Sequence, residues 1–202
     1  MVNSKRERKN KMQKMLLHSC CGPCSSAVLE RLVNDFDVTV LYYNPNIQPE
    51  EEYIKRKNEQ LRLIKEAYPQ FKVLDCDYLG EDFISKVKGL EKEKEVGARC
   101  KVCFTLRLEF CAQKAKENGF DIFATTLSVS PYKNAKLINE IGLELSQKYG
   151  INYLVSDFKK KNGYLRSLEL AKKYNLYRQN YCGCIYSFYE AENYRKTKQN
   201  KK

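Results

Sequence analysis

The fold is decided by a short apolar strand that runs directly into a cysteine-rich turn, MLLHSCCGPC at residues 15–24. Residues 15–18 have the apolar character of a strand. The next stretch, 25–34, carries its apolar residues at helical spacing, so a helix is expected to open at the cysteines. The stretch therefore predicts a strand–turn–helix unit with several thiols at its junction.

The same alternation continues along the rest of the chain. Short apolar runs predict further strands, and longer amphipathic stretches predict further helices. The predicted strands cover 15–18, 38–43, 71–74, 121–127 and 151–155, and the predicted helices cover 25–34, 49–68, 83–87, 100–119, 134–149 and 164–174. Strands that alternate with helices are joined by right-handed crossovers. We therefore expect an α/β fold, with a mostly parallel, doubly wound sheet of Rossmann-like, nucleotide-hydrolase-like type and helices on both faces.

The composition indicates a protein with one full core and no membrane segment. The chain has 202 residues, of which 43% are hydrophobic and 31% charged. At this size folding hides roughly 70% of the unfolded surface without help from disulfides. No apolar run approaches the ~18 residues of a spanning helix, and the one after the basic start is too short for a signal peptide. We expect a cytoplasmic protein that has no membrane partner.

The net charge of +12 is concentrated at the two ends of the chain. Residues 1–14 hold six basic residues and one acidic residue, and residues 192–202 hold five basic residues and one acidic residue. We therefore expect a basic flexible tail at 1–14, a single α/β domain at 15–190 and a second basic flexible tail at 191–202. Two interpretations of the tails stay open, namely solvated ends and contacts with nucleic-acid phosphates.

Cysteine content is the second unusual feature. Nine is an odd number, so complete pairing within one chain is impossible, and a cytoplasmic location disfavours structural disulfides. Seven of the nine form three groups: Cys20, Cys21 and Cys24; Cys100 and Cys103; and Cys182 and Cys184. Short spacing within widely separated groups is typical of metal ligation or redox chemistry. Cys76 and Cys111 stand apart. We expect Cys111 to be a core residue and Cys76 a buried thiol, with a position at the rim of the sheet as the alternative for Cys76.

The first group lies where ligands bind in a parallel sheet, beyond the carboxyl end of a strand. The CGPC sequence at 21–24 matches the thioredoxin active-site tetrapeptide, and a helix N-terminus favours the thiolate form. A thiol–disulfide oxidoreductase that uses Cys21 and Cys24 is therefore one candidate function. The extra Cys20, the absence of tryptophan and the five strand–helix units all differ from thioredoxin.

The second group, Cys100 and Cys103, places two thiols one helical turn apart. Together with Cys20 and Cys21 it supplies four thiolates, a number that suits either Zn²⁺ or an iron–sulfur cluster. The ligand type does not choose between the metals. A zinc-binding module that binds RNA through its basic tails is therefore a further candidate.

The third group, Cys182-Gly183-Cys184, has a spacing that permits a small, strained and easily reduced disulfide ring. The alternative is that both residues are further metal ligands. His18 is the only histidine and cannot build a metal site alone. We expect a structural role for His18, with an acid–base role as the alternative.

Several motifs together resemble one known family. They are HSCCGPC at 18–24, GARCKVCF at 97–104, SPYK at 130–133, DFKK at 157–160 and LYRQNYCGC at 176–184. In this combination and order the chain is similar, over residues 15–190, to the epoxyqueuosine reductase QueH family. Members of that family are the cobalamin-independent enzymes of the last step of tRNA queuosine synthesis.

The resemblance implies a function, cofactors and partners. It implies an oxidoreductase that reduces epoxyqueuosine to queuosine in the tRNA anticodon, removing the epoxide oxygen with two electrons supplied by an unnamed electron donor. It implies a [4Fe-4S] cluster, with a mononuclear iron as a second metal beside it. By matching positions, the cluster ligands are Cys20, Cys21, Cys100 and Cys103, the second metal's ligand is Cys24, and the redox-active disulfide is Cys182 with Cys184.

Overall fold

A computed structural model describes residues 12–199 of the chain. Five parallel strands form one sheet: β1 (Gln13–His18), β2 (Phe36–Leu41), β3 (Lys72–Leu74), β4 (Ile122–Thr125) and β5 (Asn152–Tyr153). The helices are α1 (Gly22–Leu32), α2 (Glu50–Ala67), α3 (Gly80–Lys86), α4 (Ala98–Glu117), α5 (Ala135–Tyr149), α6 (Gly163–Lys173) and α7 (Ile185–Gln199), with a 3-10 turn at Thr126–Val129. The predicted α/β class and parallel sheet are confirmed.

The strand order is β3-β2-β1-β4-β5. The chain moves outward from β1 to β3 and then returns to the other side of β1, so the direction of winding reverses between β1 and β4. Leu17 pairs with Val40 of β2 on one side and with Ala124 of β4 on the other. Such a reversal leaves a crevice at the carboxyl ends of the two strands, which is where ligands bind in open α/β sheets.

Apolar side chains fill both faces of the sheet, as the continuous apolar run of β1 requires of a strand covered on both sides. Met15 and Leu17 point into a cluster formed with α1, α2 and α6. Leu16 points to the opposite face, into a cluster formed with α4 and α5. Cys111 of α4 is fully buried in the second cluster, so the prediction of a core thiol is confirmed.

Most element boundaries shift by a few residues, β5 is shorter than the predicted 151–155, and two further differences have a local cause. The strand predicted at 121–127 ends at Thr125, because the Thr125 hydroxyl accepts a hydrogen bond from the Leu127 amide and starts the 3-10 turn. Helix α7 was not predicted. Its aromatic residues do not repeat at one helical spacing, so the stretch lacks an apolar periodicity.

The predicted tails overlap described structure. Strand β1 already includes residues 13 and 14, and α7 continues through 191–199. The remaining parts of both tails, 1–11 and 200–202, lie outside the described residues. None of the helices between residues 12 and 199 is both long enough and apolar enough to cross a membrane.

Candidate active site

The carboxyl ends of β1 and β4 are tied together by His18. Its Nε2 lies 3.1 Å from the Tyr43 carbonyl, which can only accept, so Nε2 carries the proton. Its Nδ1 then accepts from the Thr125 hydroxyl at 2.9 Å. Burial, and after it the charge of Arg107, lowers the pKa of His18 to about 3. The ring is therefore neutral and fully hydrogen-bonded, as expected of a structural histidine.

Directly after β1, three thiols meet. The Sγ atoms of Cys20, Cys21 and Cys24 all lie within 4.8 Å of one another, in a group that could hold a metal ion. The Ser19 amide donates to the Leu41 carbonyl and continues the sheet, after which Cys21 forms the N-cap of α1. Helix α1 begins immediately after two of the thiols and carries the third in its first turn. The thiol trio is therefore a direct product of the strand–turn–helix unit.

Protons are shared unequally within this trio. A hydrogen bond from Cys21 lowers the pKa of Cys20 well below its usual value. The same contact raises the pKa of Cys21 to about 11, and contacts with both neighbours raise that of Cys24. The sequence analysis expected the helix N-terminus to favour a thiolate within the CGPC tetrapeptide. Of the three thiols, Cys20 is therefore the one that loses its proton most readily, because its neighbours donate to it.

Hydrogen bonds from outside the turn orient the trio. The Thr126 hydroxyl lies 3.5 Å from Cys20 Sγ and accepts from the Cys20 amide at 3.2 Å. From the C-terminal part of the chain, Gln179 Nε2 donates to Cys21 Sγ at 3.3 Å. Beneath the turn, the Ser25 hydroxyl donates to the Cys21 carbonyl at 2.9 Å. Hydrogen bonds thus hold the sulfurs of Cys20 and Cys21 and the backbone of the turn.

Cys100 and Cys103 lie in the first two turns of α4. The Val96 amide donates to Cys100 Sγ at 3.2 Å, and Val96 has a φ of +76°, a backbone strain unusual for a β-branched residue. Burial raises the pKa of Cys103 to about 12, and charges of Cys182 and Cys184 contribute. Cys103 and Cys184 also share one apolar cluster with residues of α3. The CxxC turn of α4 therefore adjoins the third cysteine group.

Arg107 lies among all three cysteine groups. Its side chain is 2% exposed, its Nε donates to the Cys103 carbonyl at 3.2 Å, and its Nη2 has no partner within residues 12–199. Burial lowers the pKa of Arg107, but nearby sulfurs outweigh it and raise the net pKa. These sulfurs belong to Cys103, Cys182, Cys20 and Cys100. A buried guanidinium with a free N–H therefore faces the region where the groups converge.

The Cys182-Gly183-Cys184 turn is clamped onto α2 and the loop before it. Arg56 Nη1 donates to the Cys182 carbonyl at 3.1 Å, and the Gln48 amide donates to the Gly183 carbonyl at 2.9 Å. Gly183 has a φ of +139°, and a Cβ there would lie 3.2 Å from Arg56 Nη1. The turn therefore needs glycine both for its backbone angle and for the close approach of Arg56.

A cavity of about 670 Å³ opens beside these groups. Its wall includes Cys24, Cys182, Lys133, Gln179 and Arg178. Burial lowers the pKa of Lys133, but the sulfurs of Cys182, Cys20 and Cys24 outweigh this effect and raise it, so the amine stays charged. A cavity of this size is in the range of small-molecule sites. Thiols from two distant parts of the chain and a cation therefore face one ligand-sized space.

The structure thus brings most of the predicted site residues together. Cys24 lies with Cys20 and Cys21, whereas Cys100 and Cys103 lie outside that 4.8 Å group and are linked to it through Arg107. Cys76 is half-buried, and no sulfur of the trio bonds to it. The sequence analysis gave no role to Arg107, Lys133, Gln179 and Arg56. Lys133 and Gln179 lie within motifs that carry the family resemblance, and Arg107 stands one helical turn after Cys103, so these three carried a signal.

Comparisons with known proteins identify the family of this chain. The family model described as epoxyqueuosine reductase QueH matches residues 15–190. A protein with that name from Streptococcus pyogenes serotype M1 is 43% identical over 185 residues, which cover 90% of this chain and 72% of the relative. The epoxyqueuosine reductase QueH of Staphylococcus epidermidis is 42% identical, over 92% of this chain and 81% of the relative.

A more distant relative has a length close to that of this chain. The epoxyqueuosine reductase QueH of Thermotoga maritima is 35% identical over 89% of this chain and 92% of the relative. The family match and these identities span the whole segment that carries the thiol trio, the CxxC turn and the Cys182-Gly183-Cys184 turn. The chain therefore belongs to the epoxyqueuosine reductase QueH family of oxidoreductases.

Proposed function

We propose that the chain reduces epoxyqueuosine to queuosine in the anticodon of tRNA, in the cytoplasm. Two electrons and two protons convert the epoxide to an alkene and release its oxygen as water. The observation that carries this proposal is the convergence of three cysteine groups beside one cavity in a chain of this family. Thiol-based redox centres supply the electrons that such a reaction consumes.

The donor set fits an iron–sulfur cluster. Every candidate ligand is a cysteine sulfur, the surroundings are buried, and the unpartnered Nη2 of Arg107 offers an N–H to negative charge. We assign Cys20, Cys21, Cys100 and Cys103 as the ligands of a [4Fe-4S] cluster. When bound, such a cluster takes up and passes on single electrons, at a potential set by hydrogen bonds and burial.

Cys24 is the proposed ligand of a second metal, a mononuclear iron. Its sulfur lies in the thiol trio and on the cavity wall, so it links the two regions. A metal ion with an open position polarises a bound oxygen and makes it a better leaving group. Lys133, which faces the same cavity, offsets the negative charge of the surrounding sulfurs.

Cys182 and Cys184 are the proposed redox-active pair. When the two thiols form a disulfide they release two electrons and two protons, which equals the demand of one turnover. Hydrogen bonds from Arg56 and Gln48 hold the backbone of the turn. Gly183, the one residue between the two cysteines, adopts the positive φ that the turn requires. An external electron donor must then reduce the disulfide before the next turnover.

Anaerobic analysis of the purified protein tests this function against the zinc alternative. We expect more iron than acid-labile sulfide, because the cluster supplies the two in equal amounts and the mononuclear iron adds iron alone. We also expect conversion of epoxyqueuosine to queuosine in tRNA under a chemical reductant, detected by mass spectrometry of nucleosides. A protein that contains zinc without sulfide and leaves epoxyqueuosine unchanged would instead support a zinc-binding RNA module.

A further inference from the structure

Tyr132 stands at the mouth of the cavity that Cys24 and Cys182 line. Its side chain is 75% exposed, although a tyrosine ring usually buries most of its area. Among residues 12–199 it pairs with no other aromatic ring. A large flat ring is therefore presented to solvent next to the proposed reaction site.

The backbone that carries this ring is held firmly. The Tyr132 amide donates to the Ser130 hydroxyl at 3.3 Å. Two residues later, the Asn134 side chain caps α5 by accepting from the Leu137 amide at 3.2 Å. Lys159 Nζ donates to the Lys133 carbonyl at 3.1 Å. The ring is thus mounted on a loop fixed at both ends, which lowers the entropy cost of binding through it.

Exposed cations lie at or near the same opening, whose lining also includes one carboxylate, Glu95. Arg178 lines the cavity from the segment before the Cys182-Gly183-Cys184 turn, is exposed, and forms no ion pair with any residue between 12 and 199. Lys160, in the loop that contacts the Lys133 loop, has a side chain that is 77% exposed, and its one recorded ion pair, with Asp157, is long at 3.9 Å. These cations are available to phosphate groups.

We propose that Tyr132 and Arg178 form the contact surface for the tRNA anticodon loop: Tyr132 stacks on an unpaired base and Arg178 contacts a loop phosphate. Single-stranded RNA loops are recognised by splayed bases that stack on aromatic rings, combined with phosphate contacts. Both residues lie on the cavity rim, so a loop seated on them places a neighbouring nucleotide beside Cys24 and Cys182. The inference rests on the proposed tRNA substrate and deepens it.

The test measures binding rather than turnover. The full-length protein, purified without oxygen, is titrated into a fluorescent RNA hairpin with the anticodon stem-loop sequence at several salt concentrations. Tyr132→Ala is expected to weaken binding about tenfold with an unchanged salt slope, because stacking involves no counterion release. Tyr132→Phe keeps the ring and should bind like the wild type. Tyr194→Ala removes a ring that is 65% exposed on α7, away from the cavity, and serves as the matched control.

Unlike Tyr132→Ala, Arg178→Gln is expected to change the salt dependence of RNA binding. Loss of one phosphate contact should reduce the magnitude of the salt slope by about 0.7–0.9. Circular dichroism and iron content should match the wild type in every variant. A wild-type protein that binds the hairpin no better than a loop-free duplex would overturn the tRNA substrate and this inference together. If the wild type prefers the hairpin but Tyr132→Ala binds equally well, the inference alone is wrong.

Discussion

Arg107 is the single residue at which the three cysteine groups meet. It stands one turn after Cys103 on α4, is almost fully buried, and has an Nη2 without a partner in the described part of the chain. A buried charge is costly unless opposite charge compensates it. The surrounding sulfurs supply that compensation when they are thiolates, so the charge of Arg107 and the ionisation of the thiols support each other.

Removal of one proposed cluster ligand should empty the site. We expect Cys100→Ala to lose most of the iron and all reductase activity, because three thiolates leave an incomplete ligand shell. Iron analysis and circular dichroism of the anaerobically purified variant check this. Cys76→Ser is the matched control, since Cys76 is half-buried like Cys100 but is not a proposed cluster ligand. Full iron loading of Cys100→Ala would show that the ligands are assigned wrongly.

The Cys182 and Cys184 thiols should behave differently from ligands. We expect the double variant Cys182→Ser/Cys184→Ser to assemble the cluster normally and to lose multiple turnover, because serine cannot form the disulfide. Mass spectrometry of the wild type after one anaerobic turnover should find the loss of two hydrogens within residues 181–185. Free thiols there after product has formed, or low iron in the double variant, would make both residues metal ligands instead.

At the scale of elements, α2 positions the segment that carries the third cysteine group. Glu59 accepts from the Tyr177 amide at 2.6 Å and from Arg62, whose guanidinium also donates to the Tyr174 carbonyl at 2.9 Å. One turn earlier in α2, Arg56 donates to the Cys182 carbonyl. One face of α2 therefore holds the chain from the end of α6 to the Cys182-Gly183-Cys184 turn.

This attachment should depend on pH. The hydrogen bond from Arg62, and after it that from the Tyr177 amide, lowers the pKa of Glu59 below its usual 4.5. A lowered folded-state pKa contributes stability that is present above pH 4.5 and is lost as the pH falls through the folded-state value. Glu59→Gln should therefore unfold at lower urea concentration than the wild type at pH 7.

The difference in urea midpoint should shrink as the pH falls below 4.5. Glu140→Gln is a control, because Glu140 makes only a long ion pair of 3.9 Å with the exposed Lys136. This variant should resemble the wild type at both pH values. A Glu59→Gln deficit that stays constant down to acidic pH would contradict a role for the ionised carboxylate.

At the scale of the whole molecule, the two basic ends of the chain are expected to contact tRNA. Residues 1–11 and 200–202 carry much of the +12 charge and lie outside the described structure. A deletion limited to them keeps every residue of β1 and α7. It should weaken tRNA binding and flatten its salt dependence, because fewer phosphates are neutralised.

Gel-shift titration over a range of salt checks this prediction. Turnover at saturating tRNA should survive the deletion, since no residue of the candidate site is removed. Affinity that is unchanged at low salt would mean that the ends are solvated and do not contact RNA.

The sequence by itself determined most of the helices and strands and the family. The apolar run at 15–17 predicts a buried strand, the apolar spacing along α4 predicts a helix, and the motifs predict the family. These predictions succeed because strand and helix periodicity record which side of each segment is buried. The unpredicted α7 is consistent with this, since a helix without such periodicity leaves no local signal.

Only the tertiary structure decided which elements meet. The return of the chain from β3 to the far side of β1 joins His18 to Thr125 across 107 positions of sequence and Gln179 to Cys21 across 158. The same packing places Arg107 beside the sulfurs and Tyr132 at the mouth of the cavity. Local sequence patterns cannot specify such contacts, because these contacts depend on the order in which the strands pair. That order is set by the burial of both faces of the sheet at once.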